Sequence, residues 1–233
     1  GLLYGFSQKE FYSKGPFGRY KLMEERGKLT ARAESGIAEL CSSLIYSAER
    51  LILEIGTLTL QTIAELQLLT VGPQLRGSMN NKYGQAATLK TFNLIKSLIS
   101  NYIVHSTQNS FEIKNDSGRK VSIRFSSDPD IEIVEKLTAG ERGLISIEIK
   151  GGRDYSNIHN RIGEAEKSHQ KAKRRGHFEF MTILSVDVDY ETLRNESPTT
   201  NHFFNLDRLA DNTSNEYINF QDILTSILGI HHT

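Results

Sequence analysis

Two carboxylates and a lysine in one stretch of this chain have the types and spacing to hydrolyse a phosphodiester. Asp130 closes the segment Ser127-Asp128-Pro129-Asp130, and Glu148 and Lys150 follow in Ile147-Glu148-Ile149-Lys150-Gly151-Gly152. Residues two apart on a strand share a face, so Glu148 and Lys150 project together while Ile147 and Ile149 enter the core. If the strand that starts at Asp130 pairs alongside, its carboxylate lies near Glu148. A hard divalent cation then has two oxygen ligands, with the Ile149 carbonyl as a third. Such a cation polarises the phosphoryl group and makes water nucleophilic near neutral pH; a nearby ammonium positions or deprotonates that water and offsets the growing negative charge. Asp130, Glu148 and Ile149 are therefore the candidate metal ligands, and Lys150 is the candidate water-orienting group. The same side chains would also fit a surface ion pair of little energetic weight.

The elements that must position these residues follow from periodicity. Apolar residues recur three and four apart through Ile37, Leu40, Leu44, Ile45, Ala48, Leu51, Ile52 and Ile55, then Leu58, Ile63 and Leu66, which predicts two or more helices over about residues 20–69. The polar, glycine-punctuated stretch from Gly72 to Gly84 interrupts the pattern and is expected to be an exposed loop. A helix over about residues 85–102 buries Leu89, Phe92, Leu94, Ile95, Leu98 and Ile99. The period then changes to alternation. A hairpin is expected through 111–114 and 120–125, turning at Asn115-Asp116-Ser117-Gly118, with further strands at 131–134 and 144–150 joined by a turn through 138–143. A polar helix over about 157–175 leads to an apolar strand over 178–186. Residues 189–219 show little periodicity, and a short last helix over 220–228 docks on the core. The expected division is an N-terminal helical region with its loop (1–84), a catalytic core (85–190), and a C-terminal irregular segment with a short helix (191–233).

Composition bounds the partners. The 28 lysines and arginines balance 28 acids, so bulk positive charge cannot bind nucleic acid and a local basic surface must do so. No run approaches the roughly 18 apolar residues of a membrane span, and Gly1–Phe6 lacks the features of a secretory leader, which points to a cytoplasmic protein with no membrane partner. The single Cys41 sits in an amphipathic helical pattern and is expected to be buried and structural. The histidines show no paired metal spacing, so zinc is not expected. Tyr4, Tyr12 and Tyr20 are expected in the core or an interface.

The Pro-Asp, the Glu-x-Lys ending an apolar strand, and the polar helix and apolar strand that follow resemble the PD-(D/E)xK nucleases over roughly residues 85–186. That resemblance implies an α+β (α/β) core with a central mixed sheet flanked by helices. Many such nucleases take an extra glutamate from the preceding helix. The helix over 85–102 has no acid, which leaves Glu39 or Glu34 from the earlier helices. Within the superfamily, Gly72–Gly84 and Ile147–Lys173 look like the restriction enzymes of the XcyI type, which cut the palindrome CCCGGG. The resemblance implies a sequence-specific type II endonuclease acting on double-stranded DNA as a homodimer and leaving a 5′ overhang. It implies Mg2+ as cofactor, with Mn2+ substituting and Ca2+ binding without cleavage, and a cognate DNA methyltransferase as functional partner. Two other readings stay open: a repair nuclease or junction resolvase of the same fold, and a non-catalytic DNA-binding module in which the three residues meet by accident.

The surface that meets DNA has its own signals. After Lys150, a glycine pair and then Arg153, Asn157, Asn160 and Arg161 open a helix whose start favours phosphate. Further along that helix, Lys167, Gln170, Lys171 and Arg174, with His169, supply basic and amide groups. In the expected loop, Arg76, Ser78, Asn80, Asn81 and Lys82 are types that read base edges or hold phosphate. Ordinary solvated helix and loop surfaces carry such residues too.

Overall fold

A computed structural model describes residues 16–231 apart from Asp154. The chain forms two compact units, Gly1–Met79 and Asn80–Thr233. The described part of the first is helical: a 3-10 turn at Pro16–Tyr20, then α1 (Lys21–Arg26), α2 (Ala31–Glu34), α3 (Ile37–Ile55) and the start of α4 (Leu60–Leu98). Thr30 caps α2 by accepting a hydrogen bond from the Ala33 amide. Tyr20 is buried with Ala33 and Leu40, and its hydroxyl donates to the Gly36 carbonyl at 2.6 Å; Tyr4 and Tyr12 lie outside the described residues. Cys41 is exposed, contrary to the expectation of burial. The inward stripe of α3 runs through Ile37, Leu40 and Leu44, and Cys41, one residue past Leu40, turns about 100° away from it.

The expected loop over Gly72–Gly84 is helical and belongs to α4. None of its glycines takes a positive φ, so nothing in the backbone there forces a turn. Glycine costs about 1 kcal/mol and proline about 3 kcal/mol inside a helix, local penalties that a long helix with a packed end overrides. Residues 87–98 of α4, with Ile99 just past it, provide that end: Ala87, Phe92, Ile95 and Ile99 are buried on the sheet.

The second unit is a seven-stranded mixed sheet in sequential order: β1 (Ile103–Ser106), β2 (Ser110–Lys114), β3 (Lys120–Phe125), β4 (Ile131–Leu137), β5 (Gly140–Lys150), β6 (Glu179–Leu184) and β7 (His202–Asn205). β1 to β5 run antiparallel as a meander, and β5, β6 and β7 pair parallel. A parallel pair needs a long crossover, and α5 (Ile158–Arg174) supplies it. β4 and β5 extend beyond the expected strands and meet in a tight hairpin where Leu137 pairs with Gly140, whose φ of 148° favours glycine.

One face of the sheet carries Ile131, Ile133, Ile145, Ile147 and Ile149 against Phe92 and Ile95 of α4, Ile99 just past it, and Phe220, Leu224 and Leu228 of α8 (Asn215–Leu228). Phe92 stacks on Phe125 with ring centres 4.1 Å apart. The opposite face packs Leu184 and Phe203 against Ile158 and Ile162 of α5 and Leu193 of α6 (Tyr190–Glu196).

The stretch 189–219, expected to be irregular, instead contributes α6, β7 and α7 (Leu206–Leu209), and the expected last helix docks on the core as α8, starting five residues earlier at Asn215. The short elements of this stretch bury Leu193, Phe203, Phe204, Leu206 and Leu209, and polar caps fix where its helices start. Asp189, Asn205 and Ser214 cap α6, α7 and α8, and Glu166 of α5 accepts from the Thr199 amide, the Thr199 hydroxyl and Ser197.

Candidate active site

Antiparallel pairing lays the start of β4 beside the end of β5. Ile131 pairs with Ile147, the ladder stops there, and Asp130 faces the last residues of β5. Asp130 Oδ2 accepts a hydrogen bond from the Ile149 amide at 2.7 Å, filling the place that a β4 carbonyl would take. In an extended strand the N–H and C=O of one residue leave on the same side, so the Ile149 carbonyl faces the same notch. On the other pleat, Lys150 Nζ donates to Glu148 Oε2 at 2.7 Å, and Glu148 is only 5% exposed. The three residues singled out by spacing thus meet at the carboxyl end of β5.

Burial raises the pKa of both acids. Desolvation is the largest influence on Asp130 and outweighs the Ile149 amide and Lys150. Desolvation also dominates at Glu148, with Lys150 opposing it and the Asp130 charge adding to it. Two carboxylates whose charged forms the protein under-compensates form a site that favours an added cation.

Two residues of α5 and the residue just past it hold the turn ahead of Asp130. The Ser168 hydroxyl lies against both Asp128 and Glu148, Lys171 Nζ donates to Asp128 Oδ2 at 2.6 Å, and Arg175, just past the helix end, donates to the Asp128 carbonyl at 2.5 Å. Burial alone would push the Asp128 carboxyl up, but Lys171 and Ser168 outweigh it and hold the pKa below its ordinary value. Sequence spacing missed Ser168 and Asp128 as parts of this site. Their signal is the helical spacing of Ser168, Lys171 and Arg175, which puts all three on one side of the chain.

A cleft of about 420 Å3 opens at Asp130 and Ile149 and is walled by Gln85, Thr88 and Leu89 of α4 and by Phe125 and Ser126. The helix beside the site therefore brings an amide and a hydroxyl to it. Of the acids expected to assist, Glu39 pairs with Arg19 at 2.9 Å and Glu34 lies on α2, both in the first unit. Gly151 is needed for this packing, because a Cβ there would stand 2.5 Å from the Ala87 Cβ and 2.7 Å from the Tyr83 carbonyl. A Cβ on Gly152 would strike the Arg161 guanidinium, so Arg161 lies directly over the glycine pair that follows Lys150.

The expected DNA-contact residues divide. Arg153, Asn157, Asn160, Lys167 and Arg174 are exposed around α5 and its start, and Arg161 is half-buried. Gln170 is exposed but donates to Glu166 at 2.8 Å, and Lys171 is occupied by Asp128. His169 is fully buried, bonded to Ser146 and Thr182, so it cannot face DNA. Asn80, Asn81 and Lys82 stand on α4 just before Gly84, which edges the cleft. Ser78 is exposed in the first unit, and the Arg76 side chain lies outside the described part.

No group of three or more His, Cys, Asp or Glu able to hold a metal occurs among the described residues. The oxygens available are two under-compensated carboxylates and one strand-end carbonyl. That set fits magnesium, which typically takes one or two carboxylates and completes its shell with water and substrate phosphate.

Comparison with known proteins supplies the class. The chain is 40% identical over 236 residues to the type II restriction enzyme Cfr9I of Citrobacter freundii, a match covering 98% of this chain and 72% of that protein. It is 39% identical over 236 residues to the type II restriction enzyme XcyI of Xanthomonas campestris pv. cyanopsidis, covering 98% and 71%. Its function is that of a sequence-specific type II restriction endonuclease, a site-specific deoxyribonuclease. The model of the XcyI restriction endonuclease family matches residues 1–231, and the chain belongs to that family. No solved structure matches it.

Proposed function

We propose that this endonuclease cuts both strands of duplex DNA at the palindrome CCCGGG with magnesium, using Asp130, Glu148 and the Ile149 carbonyl to hold the ion and Lys150 to orient the attacking water. The observation that carries the reading is the junction of β4 and β5, where the Ile149 amide fixes Asp130 and Lys150 fixes Glu148. A bound magnesium ion supplies Lewis acidity at the phosphoryl group and lowers the pKa of water. The protein's own part is positioning. Asp130 is locked by a backbone donor, so its free oxygen is aimed without a search through rotamers. Lys150 is held against Glu148, from which its ammonium can turn to water or to a phosphoryl oxygen as negative charge grows there.

The DNA reaches this site from the side where Arg153, Asn157, Asn160, Arg161, Lys167 and Arg174 crowd the start and exposed face of α5, which supplies local positive charge in a chain of zero net charge. Asn80, Asn81 and Lys82, in the middle of α4 just before the cleft-lining Gly84 and Gln85, are the candidates for base and phosphate contact from that helix. One site per chain and two strands to cut call for a two-fold homodimer. A cognate methyltransferase protects the same palindrome in the cytoplasm of the host.

The test is digestion of mixed-sequence phage DNA in magnesium, with an EDTA control, followed by sequencing of fragment ends. Discrete fragments sharing CCCGGG at every end are expected. Ends sharing a different palindrome would overturn the site assignment, and cutting that persists in EDTA would overturn the metal.

A further inference from the structure

We infer that Ser168 is a positioning residue for Glu148, and that the line Lys171, Asp128, Ser168, Glu148, Lys150 acts as one brace running from solvent into the active site. The inference rests on the reading of Glu148 as a metal-holding group and names what holds Glu148 in turn. Lys171 is 61% exposed in its side chain, Asp128 33% and Glu148 6%, so the line passes from open surface to deep burial.

A serine hydroxyl has one proton, yet Ser168 Oγ lies within hydrogen-bond reach of Asp128 Oδ1 and Glu148 Oε1 together. It can serve only one of them at a time. Each carboxylate has its own lysine: Lys171 donates to the far oxygen of Asp128 at 2.6 Å, and Lys150 to the far oxygen of Glu148 at 2.7 Å. Asp128 is 33% exposed and can draw a further donor from water, whereas Glu148 is 6% exposed, so the Ser168 proton matters most at Glu148.

That division has a functional consequence. A ligand carboxylate must present a fixed oxygen to the ion, and the residues that fix it typically change metal affinity by 10–100-fold when removed. Ser168 is itself buried on a helix of 17 residues, which limits the rotamers open to its hydroxyl. Its hydroxyl therefore fixes one oxygen of Glu148 while Lys150 fixes the other. Lys171 and Arg175 tie the same helix to Asp128, which stands two residues before Asp130, so α5 sets the spacing of both candidate ligands. Ser168 does not touch the reacting atoms and acts through Glu148.

The test compares S168A, S168T and E148Q in the full chain. Alanine is the strongest helix former, so S168A keeps the helix; circular dichroism and melting in EDTA check this. Three quantities are read: calcium binding by isothermal titration calorimetry, the half-saturating magnesium concentration for plasmid cleavage, and the rate at saturating magnesium. S168A is expected to weaken calcium binding and raise the half-saturating magnesium on the order of tenfold, with a much smaller change in the saturated rate. S168T, which keeps the hydroxyl, is expected to restore both. Unchanged metal dependence in S168A would overturn the inference, as would an equal loss in S168T and S168A. E148Q separates the two layers. If E148Q still cleaves, the assignment of Glu148 fails; if E148Q is dead while S168A matches wild type, only the role of Ser168 fails.

Discussion

Asp130 and Ile149 are joined by a hydrogen bond in which a side-chain carboxylate replaces the backbone acceptor that would have continued the β4–β5 ladder. The geometry of the candidate site is thus an extension of sheet pairing. This carboxylate has a cost in the metal-free protein, because burial raises its pKa above the ordinary value of 3.8. An acid with a raised folded-state pKa binds its proton more tightly when folded. Stability therefore falls as pH rises through the window above 3.8, and the penalty is fully present at neutral pH. Asp130→Asn keeps an oxygen for the Ile149 amide and removes the charge. In EDTA at neutral pH it is expected to melt higher than wild type, with the gap closing in acid; magnesium should raise the melting point of wild type only. Differential scanning fluorimetry across pH, with and without magnesium, reads all three.

His169 supplies an acid limb of the opposite kind. Its ring is wholly buried between Ser146 and Thr182, and burial lowers its pKa from 6.5 to about 4. The unfolded chain takes up a proton near 6.5 that the folded state refuses, so the stability from the neutral ring is present above that pH. It drains away as pH falls toward 4. The loss is on the order of 3 kcal/mol. His169→Gln, which can still donate and accept, should be less stable at neutral pH but show a flatter decline below it. Urea midpoints measured from pH 7.5 to 4.5 decide this.

Gly151→Ala tests the close approach of β5 to α4. The added methyl meets the Ala87 Cβ and the Tyr83 carbonyl. Overpacking of this kind costs about 1–3 kcal/mol. Cleavage should fall as well, since Ile149 and Lys150 stand just before the displaced residue. A stability within a few tenths of a kcal/mol of wild type by urea titration would show that the packing is looser than described.

Lys167 and Arg174 are exposed on α5, whereas Lys171 is tied to Asp128. Replacing either of the first two with alanine should weaken DNA binding evenly across sequences and reduce the slope of log affinity against log salt by about 1. Lys171→Ala should also disturb cleavage, because Asp128 loses its partner. Fluorescence anisotropy in calcium over a range of salt gives the slopes, and cleavage assays separate the Lys171 effect.

The sequence made the site legible because strand alternation is a two-residue rule and the Glu-x-Lys obeys it. Pairing of Asp130 beside Glu148 followed from a short turn between two strands. What stayed hidden depended on contacts far apart in the chain. Ser168 reaches Glu148 across 20 residues and Asp128 across 40, and no local pattern marks such a meeting. The helical state of Gly72–Gly84 was masked by glycine and proline, whose local preferences were overridden. β7 and its neighbours were masked because four residues of strand and two four- to seven-residue helices are too short to show a period. Their caps, Asp189, Asn205 and Ser214, were visible signals for their starts.

The most direct measurement is cleavage of supercoiled plasmid in magnesium by wild type, Asp130→Asn, Glu148→Gln and Lys150→Ala, alongside DNA binding by the same proteins in calcium. Each substitution is expected to lower cleavage by at least about a thousandfold. DNA binding should persist in all three variants. Wild-type cleavage rates in folded Asp130→Asn and Lys150→Ala would contradict the account and move the chemistry away from the end of β5.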